Sequence, residues 1–238
     1  MNDSYKLKAD LLTDALPYMQ DFEGKTMVIQ YSCNNIATPE EEKRIMQDIA
    51  LLHFVGVHPI VVHSSKKGTD IFRENKRIAA LLETNNLKAI GICGIDLQTI
   101  NILIDNQYIP VIMPNDIQTE DENILAEDVA RKIAVELKAD KLIFMSKDKG
   151  LLDDDGNLIP IMSLDNLIEY NKNHEQKGFL DLKVQNAIKA INGGVHRVHI
   201  IDGLAEHSIL VELFSVKGIG TAILDSLDNL YKHEIDNS

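Results

Sequence analysis

The sequence predicts an α/β protein with a mainly parallel, open sheet between layers of helix. Three observations predict it. Short runs rich in Val and Ile recur along the chain, amphipathic helical stretches lie between them, and no apolar run is long enough to span a bilayer. Strands that alternate with helices imply right-handed crossovers. Such crossovers build parallel sheets covered on both faces.

The expected strands are residues 26–31, 59–63, 88–92, 108–113, 141–145 and 197–201. Each is a short, mainly apolar run of strand length, the pattern of a strand covered on both faces. The clearest helix follows Thr38. Thr38 and Glu41 have capping-box spacing, Pro39 sits at the first helical position, and Ile45, Ile49 and Leu52 recur on one face before Gly56 stops the run. Further helices are expected at 70–84, 126–137 and 179–192, the last ending at Gly193-Gly194. Residues 152–158, with Asp153-Asp154-Asp155, read as a turn between two short strands. They are not a calcium loop, because the twelfth position from Asp153 is Leu164 rather than Glu.

Charge and cysteine content narrow the function. There are 24 lysines and arginines against 37 aspartates and glutamates, a formal net charge of −13. That balance argues against broad binding to nucleic acid and leaves room for a small cationic ligand. With 238 residues and 45% apolar content, the chain suits one large domain or two small lobes with a substantial core. Met1 to Lys6 has no apolar stretch, so no signal peptide is expected and a cytoplasmic location is the default. Cys33 and Cys93 are too few for an all-cysteine zinc site, and a bridge between them is the minor alternative. No histidine spacing demands a metal. His63 and His199 read as packed or hydrogen-bonded strand residues.

No G-x-G-x-x-G, Walker, G-x-S-x-G or H-E-x-x-H motif occurs. Four local sequences go further. Ala15-Leu16-Pro17-Tyr18 precedes Gly24-Lys25 and the first strand. Gln30-Tyr31-Ser32-Cys33-Asn34 and His63-Ser64-Ser65-Lys66-Lys67 end two strands, at the carboxyl side where open parallel sheets bind ligands. Asn123-Ile124-Leu125-Ala126-Glu127 opens a helix. The last runs from Gly178-Phe179-Leu180-Asp181-Leu182-Lys183 through Gly193-Gly194-Val195 and His199 to Gly203, then Glu212-Leu213-Phe214 and Gly218-Ile219-Gly220-Thr221.

In this order and spacing the chain resembles the amino-acid kinase family, and within it the arginine-sensitive acetylglutamate kinases. The resemblance covers 15–224 and is closest from Gly193 to Thr221. It implies an N-terminal helical extension at 1–24 and a kinase domain at 25–238, with an acceptor-binding N-lobe at 25–140 and an ATP-binding C-lobe at 141–238. It also implies phosphoryl transfer from ATP, with Mg, to the side-chain carboxylate of N-acetyl-L-glutamate in arginine biosynthesis. By residue, it implies Lys183 and Glu127 as the catalytic pair, Ser64, Ser65 and Asn123 as substrate-binding, and Ser146, Gly150 and Gly178 as nucleotide-binding.

The chain departs from the family where the phosphate moves. Gln30 stands at the first-strand lysine, Ser32-Cys33 at the following Gly-Gly, Ser64-Ser65-Lys66 at the second Gly-rich turn, Glu127 at the organising Asp and Ser146-Lys147 at a Thr-Asp pair. Between Lys67 and Tyr108 the chain is shorter than the family pattern, so the acceptor-gripping segment and its covering lid are expected to be missing. Phosphoryl transfer needs positive charge and backbone donors around the phosphate, so weak or absent catalysis is expected. Lys66, Lys67 and Lys147 are candidates for replacement charge. The resemblance also implies an arginine effector site at Tyr18, His207, Glu212, Gly218 and Gly220, beside an N-terminal helix at 11–22 that joins dimers into larger oligomers. The expected protein is an arginine-responsive or regulatory subunit, a homo-oligomer or one co-assembled with an active paralogue. The alternative is an active ATP-dependent kinase. Plainer roles stay open: Lys183 as a surface lysine, Asn123 as a helix cap, and Gly218-Ile219-Gly220 as an ordinary turn.

Overall fold

A computed structural model describes residues 3–32, 38–64, 69–114, 125–174, 178–215 and 218–227. The six expected strands all form, each at most one residue longer at either end. They are β1 (Thr26–Ser32), β2 (His58–Ser64), β3 (Lys88–Cys93), β4 (Tyr108–Met113), β5 (Lys141–Ser146) and β7 (Arg197–Asp202). Two very short strands, β6 (Ile161–Ser163) and β8 (Thr221–Leu224), complete one eight-stranded sheet in the order β3-β4-β2-β1-β5-β7-β8-β6. All pairings are parallel except β7 with β8. The expected lobe boundary therefore falls between β1 and β5, which are hydrogen-bonded neighbours.

The helices are α1 (Asp3–Phe22), α2 (Pro39–Phe54), α3 (Ile71–Glu83), α4 (Leu97–Asp105), α5 (Ala126–Glu136), α6 (Leu164–Asn173), α7 (Phe179–Asn192) and α8 (Ser208–Leu213). The capping box of α2 is complete. Thr38 Oγ1 accepts from the Glu41 N–H at 3.2 Å, and Glu41 Oε2 accepts from the Thr38 N–H at 2.9 Å. The helix at 11–22 is longer than expected, starting at Asp3 and running through Pro17. An interior proline costs one helical hydrogen bond. The aromatic anchors just after it are Tyr18 and Phe22, whose rings lie 6.2 and 5.7 Å from Phe214 just after α8.

Strand alternation sorts the core into two layers. Met27, Ile29 and Tyr31 of β1 pack on the side of α1, α2, α3 and α8. Val28 packs on the side of α4, α5, α6 and α7. The same parity carries Ile60 and Val62 of β2 and Leu142 and Phe144 of β5 to the second side. Even-numbered residues at the carboxyl ends of these three strands therefore sit under α5 and α7. The turn at 152–158 forms as expected, closed by a bridge between Leu152 and Leu158. Among the described residues no helix is long and apolar enough to cross a membrane.

Candidate active site at the strand ends

Gln30, Ser32, Ser64 and Ser146 share that even parity at the ends of β1, β2 and β5. Ser32 and Ser64 are register partners, and Ser64 Oγ donates to Ser32 Oγ at 3.3 Å. Gln30 pairs in register with Val62 on one side and Phe144 on the other. Continuing that register by two residues brings Ser146 level with Ser32. The row Ser64, Ser32, Ser146 thus lies one layer beyond Gln30. Gln30 itself is 0% exposed, and neither its amide nitrogen nor its amide oxygen has a hydrogen-bond partner among the described residues.

The helices above supply charge. Glu127 lies in the first turn of α5, where the helix dipole favours a carboxylate. Lys183 lies in α7, and its ammonium meets Glu127 Oε1 at 3.4 Å, with both side chains buried. This removes the reading of Lys183 as a surface lysine. Burial pushes the Lys183 ammonium below the ordinary lysine range, opposed by the nearby carboxylates of Glu127 and Asp148. Asp148 is a site residue that the sequence reading missed. It accepts from Ser146 Oγ at 3.2 Å, and its own N–H donates to that oxygen at 3.2 Å. The local signal was a Ser-x-Asp just past a strand end.

Gly178 starts α7 with φ +68, in the left-handed region glycine tolerates, and among the described residues nothing lies within 4 Å of where a Cβ would sit. Gly150 is different. A Cβ there would lie 2.7 Å from both Leu158 Cδ1 and Thr221 Oγ1, so the position is explained by packing. Ser65, Asn123, Cys33, Lys66 and Lys67 fall outside the described residues.

The expected effector residues gather around α8. Tyr18 is buried against Phe214. His207 precedes the helix, and its Nδ1 lies 2.7 Å from Asp48 Oδ1 of α2. Glu212 is inside the helix and already has partners. Its Oε2 accepts from the N–H groups of Ile219 and Gly220 at 2.8 Å each, and its Oε1 meets His199 Nδ1 at 2.7 Å. A Cβ on Gly218 would come within 2.5 Å of Glu212 Oε2. Burial alone would raise the Glu212 carboxyl, but His199 and the two N–H groups outweigh it and hold it below the usual range. Burial lowers His199 further than Glu212 raises it. Glu212 is therefore ionised beside a neutral His199. The second carboxylate oxygen of Asp48, Nε2 of His199 and the hydroxyl of Ser208 are buried without a partner among the described residues.

Among the described residues no three His, Cys, Asp or Glu side chains converge. A magnesium ion arriving with a nucleotide would be held chiefly by phosphate oxygens and water, as Mg²⁺ usually is.

Residues 70–202 match the family described as the Amino acid kinase family. Acetylglutamate kinase of Syntrophomonas wolfei subsp. wolfei is 34% identical over 279 positions, covering 92% of this chain and 97% of that protein. Acetylglutamate kinase of Brachyspira hyodysenteriae is 34% identical over 286 positions, with coverage of 92% and 98%. Both alignments are longer than the 238-residue chain, so these relatives carry positions without a counterpart here. Among solved structures, N-acetylglutamate synthase from Neisseria gonorrhoeae complexed with coenzyme A and N-acetyl-glutamate superposes with a TM-score of 0.78 at 20% identity. It is matched over 92% of this chain and 63% of its own. Its complex with coenzyme A and L-arginine gives 0.75 at 19%. This chain thus spans under two thirds of that synthase. Carbamate kinase from Giardia lamblia bound to AMP-PNP gives 0.65 at 14%, over 85% and 99% of the two chains. At these identities the structures establish the shared fold.

Proposed function

Because the chain belongs to the amino acid kinase family and is similar over most of its length to acetylglutamate kinases, we propose that it is a regulatory member of that group in arginine biosynthesis, with weak or absent phosphoryl transfer. The observation that carries this is Gln30. Phosphoryl transfer concentrates negative charge on the moving group, and catalysis is chiefly positioning and charge stabilisation. At the end of β1, facing the helices that hold Lys183 and Glu127, this chain places a neutral amide. Loss of one such stabilising group costs roughly 100–1,000-fold in rate.

Arginine is the proposed effector. A structural neighbour is complexed with L-arginine. A guanidinium only donates hydrogen bonds. Around α8 the buried, partnerless groups include two acceptors, Asp48 Oδ2 and His199 Nε2, and Ser208 Oγ, which can accept. Glu212 is committed to its own turn, so the acceptors about Asp48 and His199 are the better fit. The protein is proposed to work in the cytoplasm, as a homo-oligomer or with an active paralogue.

A second reading is an active kinase for N-acetyl-L-glutamate, using ATP with Mg. The buried Lys183–Glu127 pair favours it, since a buried ion pair is costly to keep without use. Calorimetric titration of one sample with ATP·Mg, N-acetyl-L-glutamate and arginine, beside a coupled turnover assay, separates the readings. The regulatory reading expects heat from arginine and turnover below ~1% of an active relative's. Silence toward arginine, or turnover within tenfold of such a relative, rejects it.

A further inference from the structure

We propose that His63 and Asn75 form a proton-operated catch, which holds the outer edge of the sheet (residues 71–113) against β2 and loosens it on acidification.

The seam under the catch is thin. β2 and β4 share two register pairs, Val61 with Val111 and Val62 with Ile112, whereas β1 and β2 share seven and β3 and β4 share six. Pro59 of β2 and Pro110 of β4 each take one ladder donor away. Beyond the seam lie α3, β3, α4 and β4, one continuous stretch of chain. Asn75 of α3 is buried and bridges the seam. Its Nδ2 donates to Val111 O of β4 at 2.8 Å and meets Nε2 of the buried His63 of β2 at 3.1 Å. Gly91 of β3 admits the amide, since a Cβ there would lie 1.7 Å from Asn75 Oδ1.

The hydrogens on this catch have one arrangement. A carbonyl only accepts, so the Asn75 atom facing Val111 O is the NH₂. By the same rule His63 Nδ1, 3.2 Å from Ser64 O, carries hydrogen. His63 Nε2 is then bare and accepts the second hydrogen of the Asn75 NH₂. An imidazolium carries hydrogen on both nitrogens, so its Nε2–H meets that NH₂ donor to donor. Turning the amide satisfies Nε2–H but sets Oδ1 against Val111 O, acceptor to acceptor. No orientation of Asn75 serves a protonated His63 and Val111 together, so protonation breaks one of the two bonds across the seam.

Among the described residues, the charged groups facing His63 are Glu74 and Arg77 of α3. Its register partner on β1 is Tyr31, whose hydroxyl donates to Glu42 of α2. Arg77 pairs with both Glu74 and Glu42, and so tethers the edge to α2 at a second point. Burial holds the His63 imidazole below its ordinary pKa, with Arg77 acting the same way and Ser64 O and Glu74 opposing. The closed catch is therefore neutral. Opening returns His63 to its ordinary pKa, so acid favours the open form. Residues 71–113 contain no histidine of their own, so His63 is the group that makes the edge respond near neutral pH.

Two measurements test this. Nitrogen-15 NMR of wild type at pH 7.5 is expected to show His63 as the Nδ1–H tautomer, and an Nε2–H tautomer overturns the proposal. Amide hydrogen exchange, corrected for intrinsic rates, then reads the opening between pH 7.5 and 5.5. Uptake of one proton by a histidine freed to about 6.5 raises the opening by up to about tenfold over that range. The rise is expected at amides of 71–113 and not in β1 or β5. It is expected to vanish in His63→Gln, whose side-chain oxygen accepts from Asn75 without titrating. A rise of less than about twofold in wild type, an equal rise in β1 and β5, or a rise that survives in H63Q overturns the proposal. If H63Q does not fold, the tautomer and the wild-type contrast between 71–113 and β1 with β5 decide.

Discussion

Glu212→Gln is the sharpest probe of the α8 region, because it preserves shape and removes charge. The carboxylate is 7% exposed and accepts three hydrogen bonds, from Ile219, Gly220 and His199. Hydrogen bonds to an ionised group contribute about 1.5–3 kcal/mol each, against about 0.5–1.5 for neutral pairs. Three such losses of about 1 kcal/mol give about 3 kcal/mol. For a chain of this size, that lowers the melting temperature by roughly 6–12 °C, at about 2–4 °C per kcal/mol. The amide must also turn its NH₂ toward His199, forcing the imidazole to accept at Nδ1 and to bury a bare Nε2–H. The assay is scanning calorimetry with and without arginine. A fall of less than about 2 °C would mean that the carboxylate is not committed to the turn, and that the fork is free to take a guanidinium directly. If arginine stabilises wild type but the variant equally, Glu212 acts through the fold and the acceptors at Asp48 and His199 carry recognition.

Gly91→Ala should cost about 2–4 kcal/mol in urea unfolding, since a Cβ would lie 1.7 Å from Asn75 Oδ1 while Asn75 is held by Val111 and His63. An Asn75→Ala background should shrink that penalty, and an unchanged one refutes the clash. Thr38→Ala should cost about 1 kcal/mol by removing the side-chain acceptor of the capping box while leaving the Thr38 N–H to Glu41 bond in place. Burial lowers His63 and His199, so below the ordinary histidine pKa of 6.5 the unfolded chain takes up protons before the folded one. Stability is then present above that pH and lost as pH falls below it, by at most ~1.4 kcal/mol per pH unit for each histidine. Burial raises Asp48, so its folded form holds a proton where the unfolded one has released it, and acidification favours folding there. Asp48→Asn should therefore steepen the loss, and a flat profile in that variant contradicts the scheme.

The strands were legible because most are covered on both faces and so read as short, mainly apolar runs, and α2 because its cap needs only residues three apart. β6 and β8 have three and four residues, too few to hold a pattern, and α4 has only nine, with five apolar and four polar residues. At the site, Lys183 and Glu127 came from family likeness rather than spacing: they meet across 56 residues. Asp148 was missed because its hydrogen bonds to Ser146 and its Coulombic pull on Lys183 depend on how the chain turns after β5. The commitment of Glu212 was equally hidden. Its partners are a strand histidine 13 residues earlier and a turn seven and eight residues later. A sequence shows that a carboxylate is present, but not whether its lone pairs are already taken.

The unmet polar groups argue that the two sites take different ligands. At the strand ends Gln30 needs a donor and an acceptor at once, while around α8 the bare acceptors of Asp48 and His199 need donors. The sites also sit on opposite faces of the sheet, so any influence must pass through an element that touches both. α2 does. Its Asp48 meets His207 beside α8, and in its first turn Glu42 accepts from the Tyr31 hydroxyl at 2.5 Å, one residue from Gln30. Glu42 is pinned in turn by Arg77 of α3. A ligand that changes the Asp48–His207 contact thus acts on a rigid helix whose other end holds the residue next to Gln30. That is a physical route for regulation, and its test is whether Asp48→Asn alters ligand binding at the far face.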